Sequence, residues 1–202
     1  MTELKRETNR DAQGDFHRRA FLKGSSAVAA ATAVQAEMAS AVQQTAQVAV
    51  GHKAIKIEVN GTQHSLDIET RETLLDVLRY RLDLTGAKPV SIDGSSGAST
   101  VLLNGKPVMA STVFGVTCDG KKVTTVEGLG DKVPAAFVAA DAQQCGFCTP
   151  GFVVAVKAFL DKKPNASLEE IRSGLNGNIC RCGTYANVLQ AAVSLVKGGG
   201  NG

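Results

Sequence analysis

Gln144-Cys145-Gly146-Phe147-Cys148-Thr149-Pro150-Gly151 and Gly177-Asn178-Ile179-Cys180-Arg181-Cys182-Gly183 hold four of the chain's 5 cysteines, as a C-x2-C pair and a C-x-C pair. Each pair sits in a loop just ahead of a segment with helical spacing, where free backbone N–H groups and the helix dipole favour thiolate. A C-x-C pair is poorly suited to a mutual disulfide, because the intervening backbone strains the geometry that bond requires. Four thiolates converging from two loops suit either a zinc ion or a 2Fe-2S cluster, and spacing alone does not separate the two.

The pattern around these loops is helical. Apolar residues recur three and four apart over 134–143, 150–160, 167–175 and 185–196, and Ser167-Leu168-Glu169-Glu170 is a capping box. Four short helices with brief connections predict a small helical domain over 131–197. The stretch before it, 54–130, reads as strands and turns. Ile55, Ile57 and Val59 alternate with Lys56 and Glu58, Asn60-Gly61 turns the chain, and Leu66 and Ile68 alternate again, which predicts a hairpin. Thr73 or Thr70 caps a predicted helix over 74–82 with apolar residues at 74, 75, 78 and 82. A Gly/Ser loop spans 90–100, a second hairpin turns at Asn104-Gly105, and 123–126 supply a last strand. The fold class is therefore α+β: a small mixed sheet packed on one helix, followed by helices.

With 202 residues, 44% apolar and 4% aromatic, the chain has room for one or two small soluble domains. Its 22 basic residues against 19 acidic ones give +3, which excludes a nucleic-acid-binding balance. No uninterrupted apolar run approaches the roughly 18 residues of a membrane span. At the start, His17-Arg18-Arg19-Ala20-Phe21-Leu22-Lys23 precedes a mildly apolar stretch over 25–36, the order of a twin-arginine export signal carried by Arg18 and Arg19. The competing reading is an amphipathic N-terminal helix with an incidental arginine pair. Ala39-Ser40-Ala41 places cleavage after residue 41, with Val34-Gln35-Ala36 as an alternative. A signal over 1–41 and a linker over 42–53 leave a near-neutral mature chain of 161 residues ending in a glycine-rich, flexible tail, 198–202. Twin-arginine export carries folded proteins, typically loaded with a cofactor in the cytoplasm, so the signal predicts a cofactor protein or its partner in a bacterial periplasm.

The strings Gln-Cys-Gly-Phe-Cys-Thr-Pro-Gly and Gly-Asn-Ile-Cys-Arg-Cys-Gly-Thr-Tyr resemble the helical iron-sulfur domain of the molybdenum hydroxylases, the family of xanthine dehydrogenases, aldehyde oxidoreductases and carbon monoxide dehydrogenases. The similarity runs from about Ile55 to Val196. It implies a plant-ferredoxin-like β-grasp domain over 54–130 and a helical 2Fe-2S domain over 131–197. Carried over, Cys145, Cys148, Cys180 and Cys182 ligate the cluster nearest molybdenum, and Gln144 lies close to the pterin. The implied partners are a molybdopterin-binding large subunit and an FAD subunit or a cytochrome-type acceptor.

The other half of the family pattern is broken. A plant-type site needs C-x4-C-x2-C and a distant fourth cysteine. The matching frame here carries Ser91, Ser96, Ser99 and Ser111, while Asp93, Gly94, Gly97, Ala98 and the run Thr100-Val101-Leu102-Leu103-Asn104-Gly105 still look like the cluster loop. A serine hydroxyl is harder to deprotonate than a thiol and a harder ligand, so four serines predict an empty first site, and a loop that normally wraps a cluster loses a folding constraint.

The remaining signals are weaker. Cys118 has no partner at ligand spacing and reads as a packed bystander. His17, His52 and His64 are scattered, Gly94 to Ser99 lacks the residues of a phosphate cradle, and no nucleophile triad or acid/base carboxylate pair is present. The expected function is an electron-transfer subunit of an exported molybdenum hydroxylase acting on aldehydes or N-heterocycles, with no catalytic residue of its own. The alternatives are a redox-silent structural or assembly subunit of such a complex and a four-thiolate zinc-binding interaction module.

Overall fold

Two Asn-Gly pairs build the sheet. In the computed structural model, which describes residues 50–197, β1 (His52–Val59) and β2 (Thr62–Glu69) pair antiparallel from His52↔Glu69 to Val59↔Thr62. Asn60 and Gly61 take φ of 50° and 84°, the left-handed pair that lets a two-residue turn match the strand twist. β3 (Thr100–Leu103) and β4 (Lys106–Met109) repeat the device through Asn104 and Gly105. Between the hairpins lies β5 (Lys122–Thr124), parallel to β1 and antiparallel to β3, giving the order β2-β1-β5-β3-β4. The export signal with Arg18 and Arg19, residues 42–49 of the linker and the 198–202 tail lie outside the described residues.

The expected last strand stops short of Val126. Thr125 leaves the ladder because its N–H donates to Asn60 Oδ1 at 2.9 Å while its hydroxyl accepts from Asn60 Nδ2 at 2.9 Å, and Val126–Gly128 follow as a 3-10 turn. The helix under the sheet also departs from expectation. Thr73 caps α1 (Leu74–Asp76) with a reciprocal box to Asp76, but Val77–Arg81 is π-wound instead of α-helical. The wider turn accompanies burial of Val77, which the apolar spacing left out, beside Leu74, Leu75 and Leu78.

The helices are α2 (Lys132–Ala139), α3 (Thr149–Lys162), α4 (Leu168–Gly174) and α5 (Tyr185–Lys197). α2 starts two residues before Pro134, since a first-turn proline costs no helical hydrogen bond. It ends at Ala139 instead of Gln143, just ahead of Asp141, whose φ of 49° is left-handed. Ser167 caps α4 as the sequence predicts: its hydroxyl accepts the Glu170 N–H at 3.3 Å, and its own N–H donates to the Glu170 carboxylate at 2.9 Å.

One apolar cluster joins sheet and α1 around Ile55, Ile57, Ile68, Leu74 and Leu78; a second joins the helices around Phe137, Phe152, Ile171 and Val188. A third sews them together, with Leu102 of β3 against Val154 and Ala158 of α3. Each fully buried side chain of this size contributes about 1.5–3 kcal/mol, and strands and helices belong to one compact unit. Among the described residues no helix is long and apolar enough to cross a membrane.

Candidate metal centre

The two loops that carry the thiols meet. Cys148 is the N-cap residue of α3, followed by Pro150 in the first turn, and Cys180 and Cys182 lie in the short run before α5. Gly146 and Gly183, each next to a cysteine, both take φ of 79° and turn the two loops sharply. Cys148 and Cys180 lie close enough to shift one another's ionisation, and Cys145 lies close enough to shift that of Cys182. The thiols thus stand as two cross-loop pairs, one sulfur from each loop in each pair. Cys180 is buried, Cys148 and Cys182 are half-buried, and Cys145 is exposed, with Gln144 exposed beside it.

The sulfurs differ in acidity. Burial pushes the Cys148 thiol up to about 12, helped by the neighbouring Cys180 and by the charge of Cys145. Burial also raises Cys180, but the Thr184 hydroxyl and N–H, the Cys148 thiol and the Cys182 N–H outweigh it and bring Cys180 down to about 7. At Cys182 the N–H of Cys145 lowers the value, yet the Cys145 thiol, burial and nearby thiolate charge leave the net direction upward. The charges of Cys180 and Cys145 oppose ionisation of Cys148, a repulsion that a bound cation relieves.

The surroundings are built to receive a charged group. The Thr184 hydroxyl lies 3.2 Å from Cys180 Sγ, the Cys180 N–H donates to Tyr185 Oη at 2.8 Å, and the Tyr185 ring meets Phe152 edge-on at 6.1 Å. Thr149 Oγ1, next in the chain to Cys148, is buried without a hydrogen-bond partner among the described residues. Soft sulfur donors, hydrogen-bond donors and partial exclusion of water fit an iron-sulfur group. Among the described residues no three His, Cys, Asp or Glu side chains converge on a single ion position.

The four serines are also brought together, in pairs of their own. Ser91 and Ser96 hydroxyls lie 2.7 Å apart, with the Ser96 N–H donating to Ser91 Oγ at 3.0 Å. Ser99 and Ser111 hydroxyls lie 3.0 Å apart, and both residues are buried. The loop is closed by its own hydroxyls. It rests directly on the thiol loop: the Ile179 N–H donates to Ser96 O at 2.9 Å, and buried Asn178 donates from Nδ2 to Gly97 O at 2.9 Å. Gly97 and Gly151 make this approach possible, since a Cβ on Gly97 would stand 2.3 Å from Gly177 O and one on Gly151 2.4 Å from Gly97 O. Cys118 is buried in the sheet cluster, and burial pushes its thiol up, as a packing residue requires. Asn178, Thr184 and Tyr185 have no role assigned from sequence; their only signal is position, within two residues of Cys180 or Cys182 or at the first turn of α5.

Residues 125–193 match the [2Fe-2S] binding domain family. The chain is 36% identical over 211 residues to the aldehyde oxidoreductase iron-sulfur-binding subunit of Escherichia coli, with 92% of each chain covered. It is 37% identical to the nicotine 6-hydroxylase small subunit of Paenarthrobacter nicotinovorans, covering 69% of this chain and 87% of that one. Its structure resembles that of quinoline 2-oxidoreductase from Pseudomonas putida with a TM-score of 0.70 at 31% identity, over 72% of this chain and 94% of that one. The paired thiols, the fold that presents them and these likenesses have one meaning: the chain belongs to the iron-sulfur subunits of the molybdenum hydroxylases.

Proposed function

We propose that this chain is the electron-transfer subunit of a periplasmic molybdopterin-dependent hydroxylase of aldehydes or N-heterocycles, and that it carries a single 2Fe-2S cluster on Cys145, Cys148, Cys180 and Cys182. The reading divides the chain into a β-grasp, plant-ferredoxin-like module over 54–130 whose cluster ligands are replaced by serine, and a helical cluster-binding module over 131–197. The observation that carries it is the contrast between two quartets: four thiols in cross-loop pairs, and four hydroxyls at the ferredoxin-type positions bonded to one another. A bound 2Fe-2S cluster supplies one-electron capacity at this place. The chain's residues do the rest. Cys145, Cys148, Cys180 and Cys182 hold the group, Tyr185 fixes the Cys180 backbone, and Phe152 and Val188 share a buried apolar cluster with Cys180. Exposed Gln144 and Cys145 lie where a pterin-bearing large subunit has access, and Ile179 N–H to Ser96 O is the short covalent and hydrogen-bonded link from thiol loop to serine loop. With hydroxyls at the end of that link, electrons leave by a route other than the family's second cluster, to an FAD subunit or a cytochrome-type acceptor. The twin arginines Arg18 and Arg19 support export of the assembled complex.

The test is iron and acid-labile sulfide per chain on anaerobically purified protein, with an EPR spectrum after dithionite reduction. About two irons and one 2Fe-2S signal support the proposal, whereas about four irons and two signals overturn the single-cluster reading. Zinc without iron, in a colourless protein, overturns electron transfer and leaves a four-thiolate interaction module.

A further inference from the structure

The contact between Thr184 and Cys180 is sheltered and directional. Cys180 is 6% exposed and Thr184 5%, and the hydroxyl stands 3.2 Å from the sulfur. Among the described residues that sulfur is the one hydrogen-bond partner of the Thr184 hydroxyl. In a free thiol either atom can be the donor, but a cysteine sulfur bonded to iron has no proton, so the Thr184 hydroxyl then gives its own. The backbone holds the pair in place from both sides. Thr184 O accepts the Val188 N–H at 3.0 Å, which ties the residue to the first turn of α5, and Tyr185 Oη accepts the Cys180 N–H at 2.8 Å. Tyr185 therefore anchors the loop while Thr184 addresses the sulfur. A donor aimed at a cluster sulfur stabilises whichever redox state holds more negative charge there, and in a water-poor site the effect is strengthened.

We propose that Thr184 is a positioning residue that acts through Cys180 to raise the reduction potential of the cluster held by Cys145, Cys148, Cys180 and Cys182. The inference rests on the 2Fe-2S reading above. Reduction adds one electron, drawn in the complex from a reduced molybdenum centre and in a titration from dithionite; no bond forms or breaks, and the Thr184 proton stays on its oxygen. A hydroxyl donor at this position makes the cluster a better electron acceptor, which favours the first transfer in a chain of carriers that lacks the second cluster.

The experiment is a mediated dithionite titration of the iron-loaded full chain, followed by EPR and visible absorption, for the wild type, T184V and T184S. T184V keeps the shape and removes the donor; T184S keeps the donor. The expected result is unchanged iron content, with the reduced-to-oxidised ratio of T184V about tenfold lower at a given solution potential, equivalent to about 59 mV for a one-electron couple, and T184S close to wild type. An unchanged T184V midpoint overturns the proposal, and so does a T184S midpoint that falls as far as that of T184V, because packing and not the hydroxyl then sets the potential. If T184V binds no iron, T184A is titrated in its place; loss of iron from both overturns the proposal, since Thr184 is then required to build the site. A wild-type chain that takes up no iron overturns the cluster reading itself, a result distinct from all of these.

Discussion

Replacing Gly151 by alanine sets a local preference against a tertiary contact. In a helix interior alanine is about 1 kcal/mol better than glycine, and Gly151 is the third residue of α3. The structure reverses that sign. A Cβ at this position stands 2.4 Å from Gly97 O, 3.1 Å from Ala98 Cα and 3.2 Å from Asn178 Nδ2. Ordinary carbon–oxygen contacts lie at about 3.3–3.6 Å, so either the helix or the serine loop must give by roughly 1 Å. Gly97 O is poorly placed to move, because it accepts from Asn178 Nδ2 at 2.9 Å, from the Thr100 hydroxyl at 2.6 Å and from the Thr100 N–H at 3.2 Å. Overpacking costs about 1–3 kcal/mol, and weakening one or two of these hydrogen bonds costs about 1 kcal/mol each. Set against the propensity gain, the net loss is about 1–4 kcal/mol, a fall of about 2–16 °C in Tm for a chain of this size. Far-UV circular dichroism on heating the cluster-loaded full chain, wild type beside G151A, measures it. A variant that melts at or above the wild type would refute the close seating of the serine loop on α3.

Three further outcomes are expected. S99A strands the buried Ser111 hydroxyl and costs about 1–3 kcal/mol, whereas S99A/S111A removes both partners and costs less than the sum of the two single changes; urea unfolding of the four chains reads the coupling, and strict additivity contradicts the paired-hydroxyl geometry. Glu170 is held down to about 2 by the Ser167 N–H, then by Lys163 and the Ser167 hydroxyl; its unfolded value is about 4.3, so the unfolded chain binds more protons between these limits and stability contributed by the cap is present above pH about 4.3 and lost as pH falls towards 2. E170Q flattens the pH dependence of urea midpoints in that window, and an unaltered slope assigns the dependence elsewhere. C148S removes the half-buried member of the Cys148/Cys180 pair and brings iron below two per chain with loss of visible absorption, measured by metal analysis; full iron occupancy removes Cys148 from the ligand set.

The residues that follow local rules were legible in the sequence, and those that answer to distant partners were not. Asn60-Gly61 and Asn104-Gly105 specify their hairpins because the left-handed pair of φ values is a property of the two residues themselves. Ser167 and Glu170 likewise find each other within one turn. Val126 reads as strand and is not, because Asn60, 65 residues from Thr125, captures the amide that the ladder would need. Val77 breaks the 3.6-residue spacing because the helix changes pitch against the sheet. At the site, four thiols at close spacing declare a metal or cluster without naming it, since sulfur chemistry is set by residue type. The contacts that tune those thiols depend on where the first turn of α5 falls, and Thr184 and Tyr185 acquire their roles only once Cys180 is folded against them.

The serine quartet closes its loop through hydroxyl pairs. A thiol is a weak hydrogen-bond donor and acceptor, so a cysteine loop stripped of its metal leaves buried backbone groups with little to bind. A hydroxyl both donates and accepts at 2.7–3.0 Å, and here the four pair off as 91 with 96 and 99 with 111, taking up the backbone N–H of Ser96 as well. These pairs tie the two ends of the loop to one another from within. Because the same loop seats Asn178 and Ile179, the two residues before Cys180, its closure also holds the thiol loop. The serine loop thus supports the thiol loop, and S99A should accordingly loosen the Cys180 loop as well as its own.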